Sequence, residues 1–473
     1  MTPEGAGRLR KSWARSDRRV PRRLVRPLRE FLHWEASGGL VLLVATALAL
    51  VWANVAGGLY EDVWTAPVSI EIGGLTLDGD LRHVVNDGLM TLFFLVIGLE
   101  VKREMAVGEL RTRRAAMLPV FAAAGGILVP ALVYAAVNAG GDGAAGWGIP
   151  MATDTAFALG VLALLGRRAP PALTAVLLAV AVIDDLGAMT VMAVFYSGGI
   201  DPAWLAAAVV CLVAIAALNR LHVRHILPYL GLGLMAWTAM AAAGVHPTVV
   251  GVALGLLTPA RPFQSEGAVA DVAGRVAQSL EAPAGRTDAN APQWRRLATL
   301  SREAISPVTR IEHALHPWTS MIVVPVFALA NAGIVLDRAS LEAAAGSAVT
   351  LGVVLGLVVG KCAGLVGGAL LAVRLGLATR PRGVSWLQMT GLGGLAGIGF
   401  TISLFVTNLA FDDPAMLAAA KVGILVGSIA AAALGATLIT VAHRRRASEA
   451  SSRRRLGLRP REMGEGHAGG GAA

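Results

Sequence analysis

The sequence predicts an all-α polytopic membrane protein with about 12 transmembrane helices, inverted repeats that contain two broken helices, and a small surface β-hairpin. The first observation is composition: of 473 residues, 55% are hydrophobic and only 15% are charged, whereas soluble domains carry nearer a quarter charged residues. The second is that apolar stretches of about 20 residues, long enough to cross a bilayer, recur along the chain. The third is that basic residues concentrate in every second loop, as expected when loops alternate between two sides of a membrane.

The predicted helices follow from these apolar stretches and the turn residues between them. They cover residues 38–56, 81–105, 115–138, 147–166, 171–197, 202–218, 225–243, 245–257, 317–334, 349–375, 384–411 and 415–442.

Helices 4 and 11 of this series are expected to be broken. Pro150 precedes Thr-Asp-Thr in helix 4, and residues 391–401 of helix 11 read GLGGLAGIGFT. Glycine and proline at that density favour a break in a membrane helix. Corresponding breaks in two halves of a chain indicate an inverted repeat, here with helices 3–5 matching helices 10–12. The alternative for helix 11 is that its glycines only allow close helix packing.

Charge divides the chain into five parts, and the net charge of +10 lies in tails and loops. We expect a basic cytoplasmic tail over 1–30, membrane helices 1–8 over 31–260, a cytoplasmic loop insertion over 261–309, helices 9–12 over 310–443, and a basic disordered cytoplasmic tail over 444–473. The insertion is interpreted as a mobile loop with one short helix near residues 294–304. Basic residues follow each even-numbered helix, which places both termini on the cytoplasmic side. The basic excess therefore indicates topology and contact with membrane lipid, not nucleic-acid binding.

A short segment between helices 1 and 2 departs from the helical pattern. Residues 68–80 read VSIEIGGLTLDGD and alternate around Gly73 and Gly74, which predicts a β-hairpin on the membrane surface. Its edge offers a place for a second copy to pair, so a homodimer is a further expectation. Cys211 and Cys362 both lie in apolar stretches and indicate neither a disulfide nor a metal site. No resident cofactor is expected.

Three carboxylates and one lysine lie deep in the predicted membrane helices: Asp154, Asp184, Asp185 and Lys361. Charges at that depth are energetically expensive and mark functional sites. They indicate a site where cations and protons compete for carboxylate oxygens. Neighbouring residues point about 100° apart on a helix, so we expect one of Asp184 and Asp185 to take an ion and the other to pair with a basic group. The alternative is that both acids line a polar crevice.

Lys361 is one of only four lysines among 41 basic residues. Arginine keeps its proton in practice, whereas a buried lysine can lose it. A lysine retained beside a buried acid therefore indicates that proton loss matters there, although a static ion pair is the alternative. Near the breaks, we expect Asp154 to offset positive half-helix ends and Lys361 to offset negative ones.

A second group of charged residues is expected at the cytoplasmic membrane surface, where helix 2 ends and helix 9 begins. It comprises Glu100, Arg103, Glu104, Glu312, His313 and His316. Histidine titrates near neutral pH, so a pH-responsive mouth is one interpretation. Ordinary interfacial charges and helix caps are the other, and the pattern does not separate them. His246 is interpreted as structural.

Several motifs, in order over about residues 36 to 440, give the sequence a clear resemblance to the NhaA-type sodium/proton antiporters. These motifs are ASGG (36–39), VND and FFLVIGLEVKRE (85–104), ATDTAFALGVLALLG (152–166), IDDLGA (183–188), IEHALHPW (311–318), FALANAG (327–333), GIGFTISLF (397–405) and KVGILVGS (421–428). The family's inverted repeats agree with those expected from the breaks. Cys362 stands where the family pattern has proline, and the insertion over 261–309 is longer than expected.

The resemblance implies electrogenic exchange of sodium or lithium for a larger number of protons in a bacterial inner membrane. It implies that Asp185 is the main cation ligand, that Asp184 pairs with Lys361, and that Thr153 and Asp154 adjoin the site. The group at the cytoplasmic surface would then be the pH-response region.

Two other functions would also use acids buried in membrane helices. A sodium-coupled solute symporter of related architecture would need a substrate-sized cavity. An intramembrane aspartyl protease also needs two buried acids, but these must approach each other to share a proton. Asp184 and Asp185 diverge instead, and no GxGD motif lies in a predicted helix. The sequence therefore favours the antiporter.

Overall fold

The computed structural model describes residues 37–72, 75–223, 225–280 and 291–455. Most of this part is helical, and apolar helices that match the predicted membrane segments in order make up its bulk. They are α1 (Ser37–Val55), α3 (Leu81–Ala106), α4 (Arg113–Val137), a 3₁₀ segment (Asp142–Met151) with α5 (Thr155–Leu165), α6 (Pro171–Phe195), α7 (Pro202–Arg220), α8 (Ile226–Ala242), α9 (Thr248–Leu257), α12 (Pro307–Asn331), α14 (Ala348–Arg374), α15 (Trp386–Ala396) with α16 (Phe400–Ala410), and α17 (Pro414–Arg455).

The predicted count of twelve membrane helices is not fully confirmed. Eight helices of the described chain are long and apolar enough to cross a membrane, and two bent pairs raise the number to ten. The pairs are those expected to be broken, bent by 47° between the 3₁₀ segment and α5 and by 46° between α15 and α16. The other two, α8 and α9, have 17 and 10 residues, fewer than the roughly 20 that a full crossing needs.

The remaining helices are shorter or polar: α2 (Gly57–Trp64), α10 (Glu266–Leu280), α11 (Ala291–Glu303) and α13 (Arg338–Gly346). The insertion thus holds two helices where one was predicted. Its ends are tied together, because the amides of Phe263 and Gln264 donate to the Glu303 carbonyl at 3.0 and 3.2 Å. We call residues 261–280 and 291–305 the lobe.

The two predicted tails fall mainly outside the described residues. The segment 1–30 and residues 456–473 lie outside the described residues. Helix α17 continues through Arg455, so the first part of the C-terminal tail, which is predicted as disordered, is helical. Alanine and arginine favour helix, which lets the last membrane helix extend into this segment.

The predicted hairpin is confirmed as a two-stranded antiparallel sheet. Strand β1 (Pro67–Ile72) pairs with β2 (Leu75–Asp80) from Pro67 opposite Asp80 to Ile72 opposite Leu75. Asp80 ends the sheet and begins α3, since its carboxylate accepts from the His83 amide at 2.7 Å. Such side-chain capping satisfies an otherwise unpaired amide of the first turn.

Helices α3 and α12 run in opposite directions and define the two ends of the bundle. Arg103, near the end of α3, pairs with Glu312 near the start of α12. At the other end, Asn86 of α3 contacts Asn331, the last residue of α12. The end that carries β1 and β2 is called the hairpin face, and the opposite end the lobe face.

Candidate ion-binding site

The two helix breaks lie side by side in the middle of the bundle. Residues 152–154 separate the 3₁₀ segment from α5, and residues 397–399 separate α15 from α16. The Asp154 amide donates to the Ile398 carbonyl at 2.5 Å. A backbone amide of one break and a backbone carbonyl of the other are thus hydrogen-bonded to each other. This is how irregular backbone is tolerated at membrane depth, where no lipid group can hydrogen-bond it.

Asp154 caps both half-helices that begin at the breaks. Its Oδ1 accepts from the Phe157 amide of α5 at 3.2 Å, and its Oδ2 accepts from the Thr401 amide and hydroxyl of α16 at 3.1 and 2.6 Å. Helix N-termini carry unpaired N–H groups and a partial positive charge. One carboxylate, only 3% exposed, therefore stabilises two positive helix ends at once.

Lys361 lies at the opposite kind of helix end. Its Nζ donates to the carbonyl of Met151, the last residue of the 3₁₀ segment, and to Asp184 Oδ2 at 2.6 Å. The ammonium is thus placed at a negative helix end and beside a carboxylate, and the residue is fully buried. One turn of π-helix over Gly356–Gly360, a π-turn within the α-helix, immediately precedes Lys361 in α14 and sets the direction of its side chain. Such turns concentrate at functional sites in membrane and soluble helices.

Thr153 connects the acid to the second break. Its hydroxyl lies 2.7 Å from Asp184 Oδ2 and 2.8 Å from the carbonyl of Ala396, the last residue of α15. A carbonyl only accepts, and a hydroxyl has one proton to donate. The hydroxyl therefore donates either to an ionised Asp184 or to the Ala396 carbonyl. When Asp184 is protonated, it donates to the hydroxyl oxygen, and the hydroxyl proton is then available to the carbonyl.

The two neighbouring acids of α6 have different surroundings. Asp184 is fully buried and holds Lys361 and Thr153 on one oxygen, while its Oδ1 has no hydrogen-bond partner among the described residues. Asp185 is 7% exposed, and its buried Oδ1 also has no partner there. Buried carboxylate oxygens without partners are unfavourable. A proton or a cation is what relieves them.

The second predicted group is assembled in part. Arg103 Nη1 lies 2.8 Å from Glu312 Oε1, and Arg103 Nη2 lies 3.7 Å from Glu104 Oε1. Glu312 is only 8% exposed, and its Oε2 has no partner among the described residues. His313 and His316 are exposed on the surface of α12 and make no side-chain hydrogen bond with these groups. The structure therefore joins α3 to α12 through Arg103 and Glu312, with both histidines at the periphery.

Glu100 is the member of the second group that lies furthest from the lobe face along α3. It is one turn before Arg103 and Glu104 on α3, and it is close enough to Asp185 for the two charges to interact. The second group of charges is therefore electrostatically connected to the buried acids. His246 instead contacts the Tyr196 carbonyl at 3.1 Å and links the start of α9 to the end of α6.

Sequence reasoning missed Thr401 and the carbonyls of Met151 and Ala396. Thr401 was inside a quoted motif, but no role was assigned to it. The available signal was its place directly after the GIG break, where a half-helix has to begin. Backbone carbonyls carry no residue-type signal, so their roles emerge only from the fold.

The deep acids and their neighbours offer oxygen atoms suited to binding a cation. Within the described ranges, no three His, Cys, Asp or Glu side chains converge as ligands for a bound metal ion. The deep acids instead share a small set of oxygens with one lysine and two hydroxyls. Hard monovalent and divalent cations prefer oxygen ligands of this kind.

Comparison with known proteins shows the family of this chain. Residues 29–439 match the family model described as Na+/H+ antiporter 1. The chain belongs to the Na+/H+ antiporter 1 family. The match contains both groups of charges, the two breaks, the hairpin and the lobe.

Members of the Na+/H+ antiporter 1 family from several bacteria are similar over nearly their whole length. Na(+)/H(+) antiporter NhaA 2 of Sorangium cellulosum is 45% identical over 419 residues, covering 88% of this chain and 90% of the relative. NhaA 2 of Myxococcus xanthus is 44% identical, covering 90% and 92%, and NhaA of Janthinobacterium is 43% identical, covering 86% and 91%. The family and the apolar helices together make the chain a multi-pass membrane transporter.

Proposed function

We propose that the protein exports sodium, or lithium, in exchange for a larger number of protons by alternating access. One observation carries the proposal: Asp184 and Asp185 each hold a buried carboxylate oxygen without a partner among the described residues, beside two crossed helix breaks. The names of the relatives, each a Na(+)/H(+) antiporter, support the same exchange.

In this proposal Asp185 is the main cation ligand. Asp184 already has Lys361 and Thr153 on one oxygen, whereas no described group donates to Asp185 Oδ1. When the site faces a neutral or alkaline interior, the acids lose protons and sodium binds the carboxylate in place of hydration water. When the site faces the other side, sodium leaves and protons return.

Competition explains how the exchange avoids a leak. The same carboxylate oxygens hold either ion, so the site does not need to change from one face of the membrane to the other while it is empty and charged. If more protons enter than sodium ions leave, the membrane potential drives the cycle. Lys361 contributes because a buried lysine can lose its proton, so it releases a proton to the interior when sodium binds and takes one up again when sodium leaves on the other side.

The proposal extends to regulation, location and assembly. Glu100, Arg103, Glu104, Glu312, His313 and His316 are proposed to adjust activity to pH from the lobe face. The protein is placed in the bacterial inner membrane with both termini and the lobe in the cytoplasm, in keeping with the basic loops. The free edge of the hairpin supports a homodimer. A sodium-coupled symporter finds no support in the names of the relatives.

The test follows a pH gradient in inside-out vesicles by dye fluorescence. Sodium or lithium is expected to collapse the gradient with the wild-type protein, and choline is not. Asp185→Asn is expected to lower the response at least about a hundredfold, because the amide cannot supply a charged ligand. Asp142→Asn, a change at the exposed acid that begins the 3₁₀ segment, is the matched control and should respond normally. Normal exchange by Asp185→Asn would contradict the ligand assignment.

A further inference from the structure

Three asparagines from three helices meet between the ion site and the hairpin face. The Asn331 amide nitrogen donates to Asn86 Oδ1 at 2.8 Å, and Asn408 donates to Asn331 Oδ1 at 2.7 Å. Asn331 is fully buried. Because Asn86 belongs to α3, Asn331 to α12 and Asn408 to α16, the network ties all three helix ends together.

A layer of three phenylalanines lies next to this network on the same three helices. Phe94 of α3, Phe327 of α12 and Phe405 of α16 are at most 1% exposed. The ring of Phe405 is centred 5.5 Å from that of Phe94 and 6.2 Å from that of Phe327. These are normal distances for packed aromatic pairs, so Phe405 packs against both of the other rings.

Helix α16 gives the order of these layers. Thr401, which binds Asp154, is in its first turn. At 1.5 Å per residue, Phe405 follows about 6 Å further along the helix and Asn408 about 10 Å further. The sequence of layers toward the hairpin face is therefore charged site, phenylalanine layer and asparagine network.

Local helix geometry supports a special role for this region. A π-turn over Val84–Leu89 interrupts α3 and contains Asn86, and another over Thr319–Val323 interrupts α12 before Phe327. π-turns are rare and often mark functional positions. Both change which side of the helix the following residues face.

We infer that these six residues form the gate that closes the ion site toward the hairpin face, with Asn331 as its central positioning residue. A hydrated sodium ion does not pass a dry aromatic contact, and apolar constrictions of this kind close pathways to ions. The asparagine network holds the three helices together above the contact. Opening requires α16 to separate from α3 and α12, which breaks both layers. The inference rests on the proposed alternating-access exchange.

The gate predicts opposite changes in sodium affinity at the two faces. Asn331→Ala removes the network's centre and favours conformers open at the hairpin face. The sodium concentration for half-maximal exchange should fall when sodium is added at the hairpin face and rise when it is added at the lobe face. We expect the ratio of the two values to change about three- to tenfold. The measurement uses right-side-out and inside-out vesicles, with trypsin cleavage of the lobe marking which face is outside.

Asn54→Ala is the matched control. Asn54 also makes two long-range hydrogen bonds near the hairpin face, to the Ile334 carbonyl at 2.8 Å and from the Leu336 amide at 2.7 Å. It joins α1 to the segment after α12 and lies outside both layers. Its loss should leave the ratio unchanged. An equal effect of both variants at both faces would mean a structural role only, and would overturn the inference.

A cross-link provides a second test that does not depend on the folding of Asn331→Ala. Asn331→Cys and Asn408→Cys are combined in a chain with Cys211→Ser and Cys362→Ser, and a short bifunctional thiol reagent with a reducible spacer joins them. Exchange should stop and then return on reduction. Full exchange by the cross-linked protein would overturn the gate but leave the proposed function standing. Absence of exchange in the wild-type protein, with any ion and at either face, would overturn both.

Discussion

At the scale of single residues, the site is organised by how each charge is compensated. Asp154 is matched by two helix N-termini, and Lys361 by a helix C-terminus and Asp184. Asp185 alone has neither a basic partner nor a capped helix end among the described residues. That difference between neighbours in one helix is the reason for proposing Asp185 as the main cation ligand.

The pairing of Lys361 with Asp184 leads to a stability prediction. Lys361→Met leaves a buried carboxylate without its counter-charge, which is expected to lower the free energy of unfolding by about 3–5 kcal/mol. Adding Asp184→Asn removes the uncompensated charge and should restore most of the loss. Thermal unfolding of the purified protein in detergent measures both variants. If the double variant melts no higher than Lys361→Met, the ion pair is not the reason for the loss.

At the scale of elements, glycine contacts place the lysine helix against its neighbour. A Cβ on Gly364 of α14 would collide with the carbonyl oxygen of Gly125 in α4, and one on Gly126 would meet the Lys361 side chain at 3.8 Å. Small residues let membrane helices approach each other closely. The position of Nζ between Met151 and Asp184 therefore depends on this helix pair.

Gly364→Ala tests that dependence. The added methyl group should push α14 away from α4 and lower the free energy of unfolding by about 1–3 kcal/mol, as overpacking does. Exchange should fall as well, because Lys361 lies three residues before Gly364 on α14 and would be displaced with the helix. Gly367→Ala on the same helix has open space around the new methyl group and is the matched control. Similar melting temperatures and exchange rates for the two variants would contradict the packing argument.

The elements also show what the sequence could predict. Pro150 and the glycines of GLGGLAGIGF carried enough local information to locate both breaks, and the Gly73-Gly74 pair located the hairpin. The contact between Asp154 and Thr401 spans 247 residues, so no local pattern could indicate it. The three π-turns were likewise missed, because they follow from tertiary packing and not from a residue type. Helix α10 was missed because Gly267 and Gly274 weaken its helical signal.

At the scale of the whole molecule, the charged site lies between two ends of different character. At the lobe face, Arg103 and Glu312 join α3 and α12 by an ion pair, and the lobe is attached beside them, with the Val308 amide bonded to the Pro259 carbonyl. At the hairpin face, the same two helices are joined by the uncharged pair of Asn86 and Asn331 above an apolar layer, and by Arg82, whose Nε donates to the Ala330 carbonyl at 3.2 Å. The ion pair between the side chains of α3 and α12 at the lobe face agrees with the proposed response to pH from that end.

The central claim is that sodium and protons compete for the same carboxylates. The most direct measurement is the sodium concentration for half-maximal exchange, determined in proteoliposomes at a series of pH values. Direct competition with one proton raises this concentration about tenfold for each unit by which pH falls below the range where the site titrates, while the maximal rate reached at saturating sodium stays nearly constant. A half-maximal concentration that stays constant while only the maximal rate changes with pH would contradict a shared site.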